Sequence, residues 1–141
     1  MSKLRTADGD DHPDAALKHL LDAQTLLERA RPDGAAYLSG YVVECSLKSI
    51  WQLETGQAGW GHGIAAMSQH VAMAATVAGA KTARYIDAAT RNLPSTAIAQ
   101  WDPDMRYRSP TMASGDAQAW CNIADAVYQT TVAQMWLDGV I

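Results

Sequence analysis

Alanine dominates the apolar part of this chain and sets the strongest limit on its fold. Of the 141 residues, 26 are alanine, against 7 valines and 6 isoleucines. Alanine has the highest intrinsic helix propensity, whereas strands are built mainly from β-branched and aromatic residues. The sequence therefore predicts an all-α protein and excludes an all-β domain. Its length suits one domain better than two, because two separate cores would be too small.

Apolar residues recur at spacings of three and four through most of the chain, which predicts amphipathic helices. The first helix is expected from the Asp-His-Pro start signal at 11–13 to about 31, and the second from Asp33 as cap to about 55. A third is expected from 62 or 63 to Gly79, a fourth over 81–93, and the last from Asp116 as cap onward. A flexible connection is expected at 56–61, and 94–115 is expected to be the least regular part. We predict an up-and-down bundle of four main helices plus a short additional helix. Residues 1–12 are expected to form a flexible leader and 13–138 a single helical domain.

Charge and cysteine content narrow the function classes. The net charge of -4 and the sequence pI near 5.4 argue against a general nucleic-acid coat, which needs excess Lys and Arg, but allow a local basic pocket. Cys45 and Cys121 lie in apolar helical contexts and are expected to be buried reduced thiols. There is no signal-peptide core and no apolar run of about 18 residues. We therefore expect a cytoplasmic protein without membrane contact.

Four polar residues share one stripe of the second predicted helix. Tyr37, Tyr41, Glu44 and Lys48 are spaced by four, three and four residues, so they face one direction. One interpretation is a salt bridge within the helix, with the Tyr rings packed beside it. The other is that an ionisable pair and two phenols lie together on an apolar helix because they face a cleft or a partner.

The segment from Trp101 to Arg108 also allows two interpretations. It combines aromatic residues with two Arg separated by one residue, and prolines bracket it. Arg106 and Arg108 can present guanidinium groups to phosphate, with Tyr107 or Trp101 available for base stacking. Alternatively, Arg106 clamps a carboxylate such as that of Glu44, while the two aromatic residues plug the end of the bundle.

Histidine and metal chemistry receive little support from spacing. His62 opens the third predicted helix, whereas His12, His19 and His70 are scattered. No metal-binding His or Cys spacing is present, so we expect neither a metal nor a cofactor. His62 is more simply interpreted as a helix-start or inter-helix hydrogen-bonding residue than as a catalytic base, and the serines lack a nucleophile elbow.

Several short motifs, taken in order, resemble the HEPN domain family. The similarity starts at the Ala-Leu-Lys-His-Leu-Leu run at 16–21 and continues through the Tyr, Glu and Leu-Lys pattern of 36–48. Gly61-His62-Gly63-Ile64 is similar to the family's start of the third helix, and 101–107 to its Trp-to-Arg-Tyr segment. The resemblance covers about 13–138 and implies a helical bundle that commonly forms homodimers with a cleft between subunits.

The same resemblance implies an activity from which this chain departs. Many HEPN proteins are metal-independent RNases that place an Arg and a His, a few residues apart, in the cleft. No His occurs at 107–113 after Arg106, and none follows Arg84 or Arg91 at that spacing. RNA cleavage through the 2′-OH needs a group that transfers protons near neutral pH as well as a cation.

We therefore expect a HEPN-like domain that lacks this nuclease motif and binds a nucleotide, RNA or a protein partner. By resemblance, that partner is a nucleotidyltransferase of a toxin-antitoxin or defence pair. No catalytic residue is assigned. The predicted ligand-binding cleft consists of Tyr37, Tyr41, Glu44, Lys48, His62, Arg106, Tyr107 and Arg108. The alternatives are a metal-independent RNase using Arg106 with a distant His, and a purely structural dimerisation or adaptor module.

Overall fold

The protein is a bundle of helices, as its alanine content predicts. The structure, a computed structural model, describes residues 1–59 and 61–141; Trp60, within the predicted connection 56–61, lies outside the described residues. The α-helices are α1 (His12–Glu28), α2 (Pro32–Thr55), α3 (Ile64–Ala74), α4 (Ala88–Arg91), α5 (Ser114–Thr130) and α6 (Val132–Leu137). Short 3-10 helices lie at Ala83–Tyr85, Leu93–Ser95, Ala97–Gln100 and Pro103–Tyr107. The described part of the chain contains no strand, and none of its helices is long and apolar enough to cross a membrane.

Helix α2 lies at the centre of the bundle and packs against α1, α3 and α5. It is buried on almost every side between Ala35 and Ile50, as its continuous apolar sequence predicts. Its last turn ends at Gly56, whose φ of 73° is the left-handed conformation that favours glycine at a helix end. The core around α2 is made of fully buried aliphatic side chains: Val42, Val43, Leu47, Ile50, Val71, Leu93, Ile98, Val127, Val132 and Met135.

The two helix caps assigned to Asp33 and Asp116 are wrong. Both residues lie in the first turn of their helices, and the cap positions are held by Arg31 and Ala113. The Asp33 carboxylate instead accepts hydrogen bonds from the backbone N–H groups of Thr111 and Met112, at 2.9 and 3.0 Å. This aspartate therefore ties the start of α2 to a distant loop, a contact that local sequence does not show.

Two predicted helices are shorter than expected. Helix α3 ends at Ala74 rather than at Gly79, because Thr76 and Val77 bond to the carbonyls three residues before them, in a tightened last turn. The predicted helix at 81–93 is divided into a 3-10 turn and α4. The Asp87 side chain caps α4 through the Thr90 N–H at 3.2 Å, which forces a new helix start there.

The last helix is interrupted at Thr131. The backbone there has φ -112° and ψ -89°, outside the helical range, and the Thr131 hydroxyl donates to the Val127 carbonyl at 2.6 Å. Helix α6 begins at Val132, directly after this interruption. The interruption was not predicted, because the apolar stripe runs through it without a change of spacing.

The segment predicted as a leader contacts the bundle in this structure. The Ser2 hydroxyl and backbone N–H donate to the Asp11 carboxylate at 2.8 and 2.7 Å. Gln52 of α2 donates to the Leu4 carbonyl at 2.6 Å, and the Lys3 amine to the Gly139 carbonyl at 2.5 Å.

The two cysteines are free and buried, as predicted. Burial raises the pKa of the Cys45 thiol to about 12 and also raises that of Cys121. The Ser39 hydroxyl of α2 donates to the Cys121 sulfur of α5 at 3.1 Å.

Candidate functional site

The predicted stripe on α2 begins with two phenols in contact. The hydroxyl oxygens of Tyr37 and Tyr41 are 3.1 Å apart, and the rings meet edge to face with centroids separated by 5.2 Å. Burial, followed by the hydrogen bond with Tyr37, raises the pKa of Tyr41 to about 12. The Tyr41 phenol therefore stays neutral at physiological pH and acts as a hydrogen-bonding group.

The stripe continues into a buried ion pair that recruits a histidine from another part of the chain. Glu44 is 3% exposed, and its two carboxylate oxygens have different partners. One oxygen accepts from Lys48 Nζ at 2.7 Å, and the other lies 2.9 Å from His62 Nδ1. Gly59 packs against the Lys48 stem so closely that an added Cβ would lie 2.7 Å from Lys48 Cγ. The structure thus brings three predicted site residues, Glu44, Lys48 and His62, into one cluster.

Arg106 occupies the other end of the stripe. Asp102 caps the 3-10 helix Pro103–Tyr107, and this short element places Arg106 at the surface. The Arg106 guanidinium carbon lies 4.7 Å from the centre of the Tyr107 ring, a cation–π contact. Hydrogen bonding to Tyr107 and then to Tyr37 raises the pKa of Arg106 above its already high ordinary value. Arg106 is therefore a permanent cation beside two phenols.

Arg106 does not clamp Glu44. The Glu44 carboxylate is taken by Lys48 and His62, and no ion pair involves Arg106 within the residues that the structure describes. Arg108, in contrast, pairs with Asp102 at 2.9 Å. The two arginines that look alike in the sequence therefore differ in the structure, and among the described residues no carboxylate pairs with Arg106.

The aromatic residues of the segment also divide. Trp101 is 2% exposed, its indole N–H donates to the Tyr37 carbonyl at 2.9 Å, and its ring packs directly over Gly40, where a Cβ would collide with it. This explains the glycine inside α2. Tyr107 is 75% exposed. Trp101 therefore plugs the bundle and is closed to a base, whereas Tyr107 is open to stacking.

A groove of about 480 Å³ opens beside Arg106. It runs between the first turns of α2 and the loop that Asp33 holds in place. Its lining contains two arginines and two aromatic residues. The lining residues are Asp33, Gly34, Tyr37, Gln100, Met105, Arg106, Arg108, Ser109, Pro110, Thr111, Met112 and Trp120. Its volume lies within the range of roughly 300–1,000 Å³ typical of small-ligand sites.

Two histidines of α1, His12 and His19, which look scattered in the sequence, face this stripe. The His19 ring stacks on Tyr41 with ring centroids 5.3 Å apart. The pKa of His12 is affected by the nearby charges of Lys48 and Glu44. Burial is the main cause that lowers the pKa of each imidazole. Their separation of seven residues, two turns of helix, is the signal that could have placed them on one face.

The candidate site thus consists of two groups of residues that meet the same face of α2. The Arg106 group contains Tyr37, Tyr41 and Tyr107, and the Glu44 group contains Lys48 and His62. Their contact points on α2, Tyr37 and Glu44, are seven residues apart, or about 10 Å along the axis at the α-helical rise.

The HEPN-domain family model matches residues 11–135. The chain belongs to the HEPN domain family. The match begins at Asp11, the cap of α1, and ends within α6, so the family resemblance of the sequence is confirmed over nearly the whole bundle. No curated protein and no solved structure matches the chain. In this HEPN domain, Arg106 has no histidine at 107–113, and its nearest described ring partners are tyrosines.

Proposed function

We propose that this HEPN domain binds single-stranded RNA through the groove beside Arg106 without cleaving the RNA. One observation carries the proposal: Arg106 is an exposed cation, held by two tyrosines and without a carboxylate partner in the described chain, at the rim of a groove of about 480 Å³. A guanidinium can make bidentate bonds to phosphate, and an exposed tyrosine can stack on an unpaired base. Arg106 is assigned to phosphate and Tyr107 to base.

Charge supports a local site rather than a broad nucleic-acid surface. The net charge of -4 opposes general attraction to a polyanion. Binding must therefore depend on very few cations. Arg108 contributes less than Arg106, because its guanidinium already pairs with Asp102.

The experiment is a binding titration of a fluorescently labelled single-stranded oligouridylate with wild type, Arg106→Glu and Arg91→Glu. Arg91 is an exposed arginine of α4 and is the matched control for a change of charge alone. Loss of a charge-assisted phosphate contact is expected to weaken binding by about tenfold to a hundredfold. Arg91→Glu is expected to stay near wild type. Equal affinities for wild type and Arg106→Glu contradict the proposal.

The alternative is a metal-independent RNase using Arg106 with His62. Cleavage needs the cation and the proton-transfer group at the same phosphodiester. Arg106 and His62 contact α2 at points about 10 Å apart, which favours binding over cleavage. Incubation of labelled RNA with the protein in chelator decides between binding and cleavage. Cleavage products that form with wild type but with neither Arg106→Glu nor His62→Gln support the RNase.

Family membership supports two further proposals, a homodimer and a nucleotidyltransferase partner of a toxin-antitoxin or defence pair. Sedimentation equilibrium tests the first, and co-purification with a candidate nucleotidyltransferase tests the second. A purely structural dimer or adaptor predicts that RNA leaves the thermal unfolding midpoint unchanged.

A further inference from the structure

His62 is held in an orientation that leaves one ring nitrogen for a ligand. Its Nδ1 lies 2.9 Å from a Glu44 oxygen, and with Glu44 ionised this nitrogen carries the donated proton. Its Nε2 makes no hydrogen bond to the described residues, and the side chain is 56% exposed. The buried carboxylate therefore positions an imidazole whose other nitrogen points away from the ion pair.

The charge of this cluster depends on His62. Glu44 and Lys48 cancel each other, so the trio is neutral when the imidazole is neutral and carries one positive charge when it is protonated. Histidine ordinarily titrates near pH 6.5 and can gain a proton when an anion arrives. The surrounding titratable or charged groups come from three elements and from the segment before α1: Glu44 and Lys48 of α2, His12, Lys18, His19 and Asp22 of α1, Asp10 and Asp11 before α1, and His70 of α3 in the adjoining pocket.

We propose that His62 is a second phosphate subsite, separate from Arg106, and that the ligand is an RNA strand with several phosphodiesters extended along the α2 stripe. The inference rests on the proposed function. Arg106 binds one phosphate, and Nε2 of protonated His62 binds another, about two turns of α2 away. Tyr41 lies between them, and its ionisation responds to both the Arg106 and the Glu44 charge. At a pH above about 6.5, where an ordinary histidine is mostly neutral, a proton is taken up from solution as the second phosphate binds, and the Glu44 carboxylate stabilises the imidazolium.

The experiment is calorimetric binding of UpU and UpUpUpU in two buffers with different ionisation enthalpies, at about pH 6 and about pH 8. UpU carries one phosphodiester and UpUpUpU three, and neither has a terminal phosphate that titrates. Wild type is expected to bind UpUpUpU more tightly than UpU, to take up a proton only with UpUpUpU, and to lose about tenfold in UpUpUpU affinity at the higher pH.

Three variants separate the contributions. His62→Gln is expected to remove proton uptake and reduce UpUpUpU affinity to that of UpU, while UpU binding is unchanged. His70→Gln, the matched control on α3, is expected to behave like wild type. His12→Gln is expected to retain proton uptake. Thermal unfolding of each variant verifies that it is folded.

Several outcomes overturn the inference. Proton uptake that persists in His62→Gln, or disappears in His12→Gln alone, assigns the proton elsewhere. Equal affinity of wild type for UpU and UpUpUpU removes the second subsite but leaves the proposed function standing. Absence of binding to either probe at both pH values defeats the proposed function together with the inference.

Discussion

Glu44 is the residue on which the candidate site depends. Its carboxylate is buried, and its two oxygens receive Lys48 from the same helix and His62 from the connection before α3. Desolvating a carboxylate and an ammonium group is costly, and removal of one partner leaves the other charge buried without compensation. The pair is therefore a poor source of net stability but a strong constraint on position.

Glu44→Gln is expected to lower the free energy of unfolding by about 3 kcal/mol, because it leaves the Lys48 ammonium without its counter-ion. The double variant Glu44→Leu/Lys48→Met is expected to lose much less, because both charges leave the interior together. Urea unfolding measures both. Equal losses in the single and double variants would show that the charge of Lys48 is already compensated by solvent.

At the scale of single residues, the sequence predicts contacts within one helix but not contacts between different elements. The Glu44 to Lys48 pairing follows from a separation of four residues. The approach of His62 depends on how the connection after α2 folds back, and the stacking of His19 on Tyr41 depends on how α1 packs against α2. Neither relation is encoded in a local spacing.

At the scale of elements, the contact between α2 and the segment around Trp101 determines where Arg106 lies. The indole ring fills the space that Gly40 leaves and bonds to the Tyr37 carbonyl. The 3-10 helix that carries Arg106 starts two residues after Trp101. The groove is therefore anchored by a tryptophan placed against a glycine.

Gly40→Ala is expected to destabilise the protein by about 1–3 kcal/mol, even though alanine is the better helix former, because the new methyl group collides with Trp101. Gly115→Ala is the matched control. Gly115 lies in the first turn of α5 with no atom within 4 Å of an added Cβ. The free energy of unfolding of the Gly115→Ala variant is therefore expected to equal or exceed that of wild type. Thermal unfolding compares the two, and equal effects would contradict the close contact.

Element positions were more predictable than element ends. The end of α2 at about 55 was predicted correctly, and the left-handed Gly56 terminates it there. Its start was predicted two residues too late, because Pro32 rather than a residue after Asp33 begins the helix. The segment 81–93 was not predicted correctly, because the Glu54 carboxylate accepts from the N–H and hydroxyl of Thr82 and fixes a non-helical start. A contact between residues so far apart in the chain overrides local propensity.

At the scale of the whole molecule, the 3-10 helix Ala83–Tyr85 is bound to the C-terminal end of the chain. The Tyr85 hydroxyl donates to the Asp138 carboxylate at 2.7 Å, and Arg84 lies 3.3 Å from the same carboxylate. Burial, followed by this hydrogen bond, raises the pKa of Tyr85 to about 12. The neutral phenol is thus the form that stabilises the fold.

Tyr85→Phe is expected to lose about 2 kcal/mol of stability near neutral pH, the usual contribution of a hydrogen bond to a charged group. Because the folded pKa lies above the ordinary value near 10, the Tyr85 contribution is complete below about pH 10 and is lost as pH rises towards 12. The wild type is therefore expected to lose its advantage over the variant in that range. Denaturant unfolding from neutral to alkaline pH measures the difference.

Tyr107→Phe is the control for this comparison, since Tyr107 is exposed. It is expected to match wild type in stability throughout the range. A Tyr85→Phe variant whose deficit stays constant as the pH rises would contradict the role of the neutral phenol.

The two buried thiols give this bundle built-in reporters of local opening. Thiol reagents attack the thiolate, and burial raises the pKa of both Cys45 and Cys121. Cys121 lies at the contact of α5 with α2, whereas Cys45 is influenced by Lys18 of α1. Labelling rates of single-cysteine variants would therefore time the separation of α5 and of α1 from the central helix independently. Each opening could be followed through the native thiols, without a cysteine introduced for the purpose.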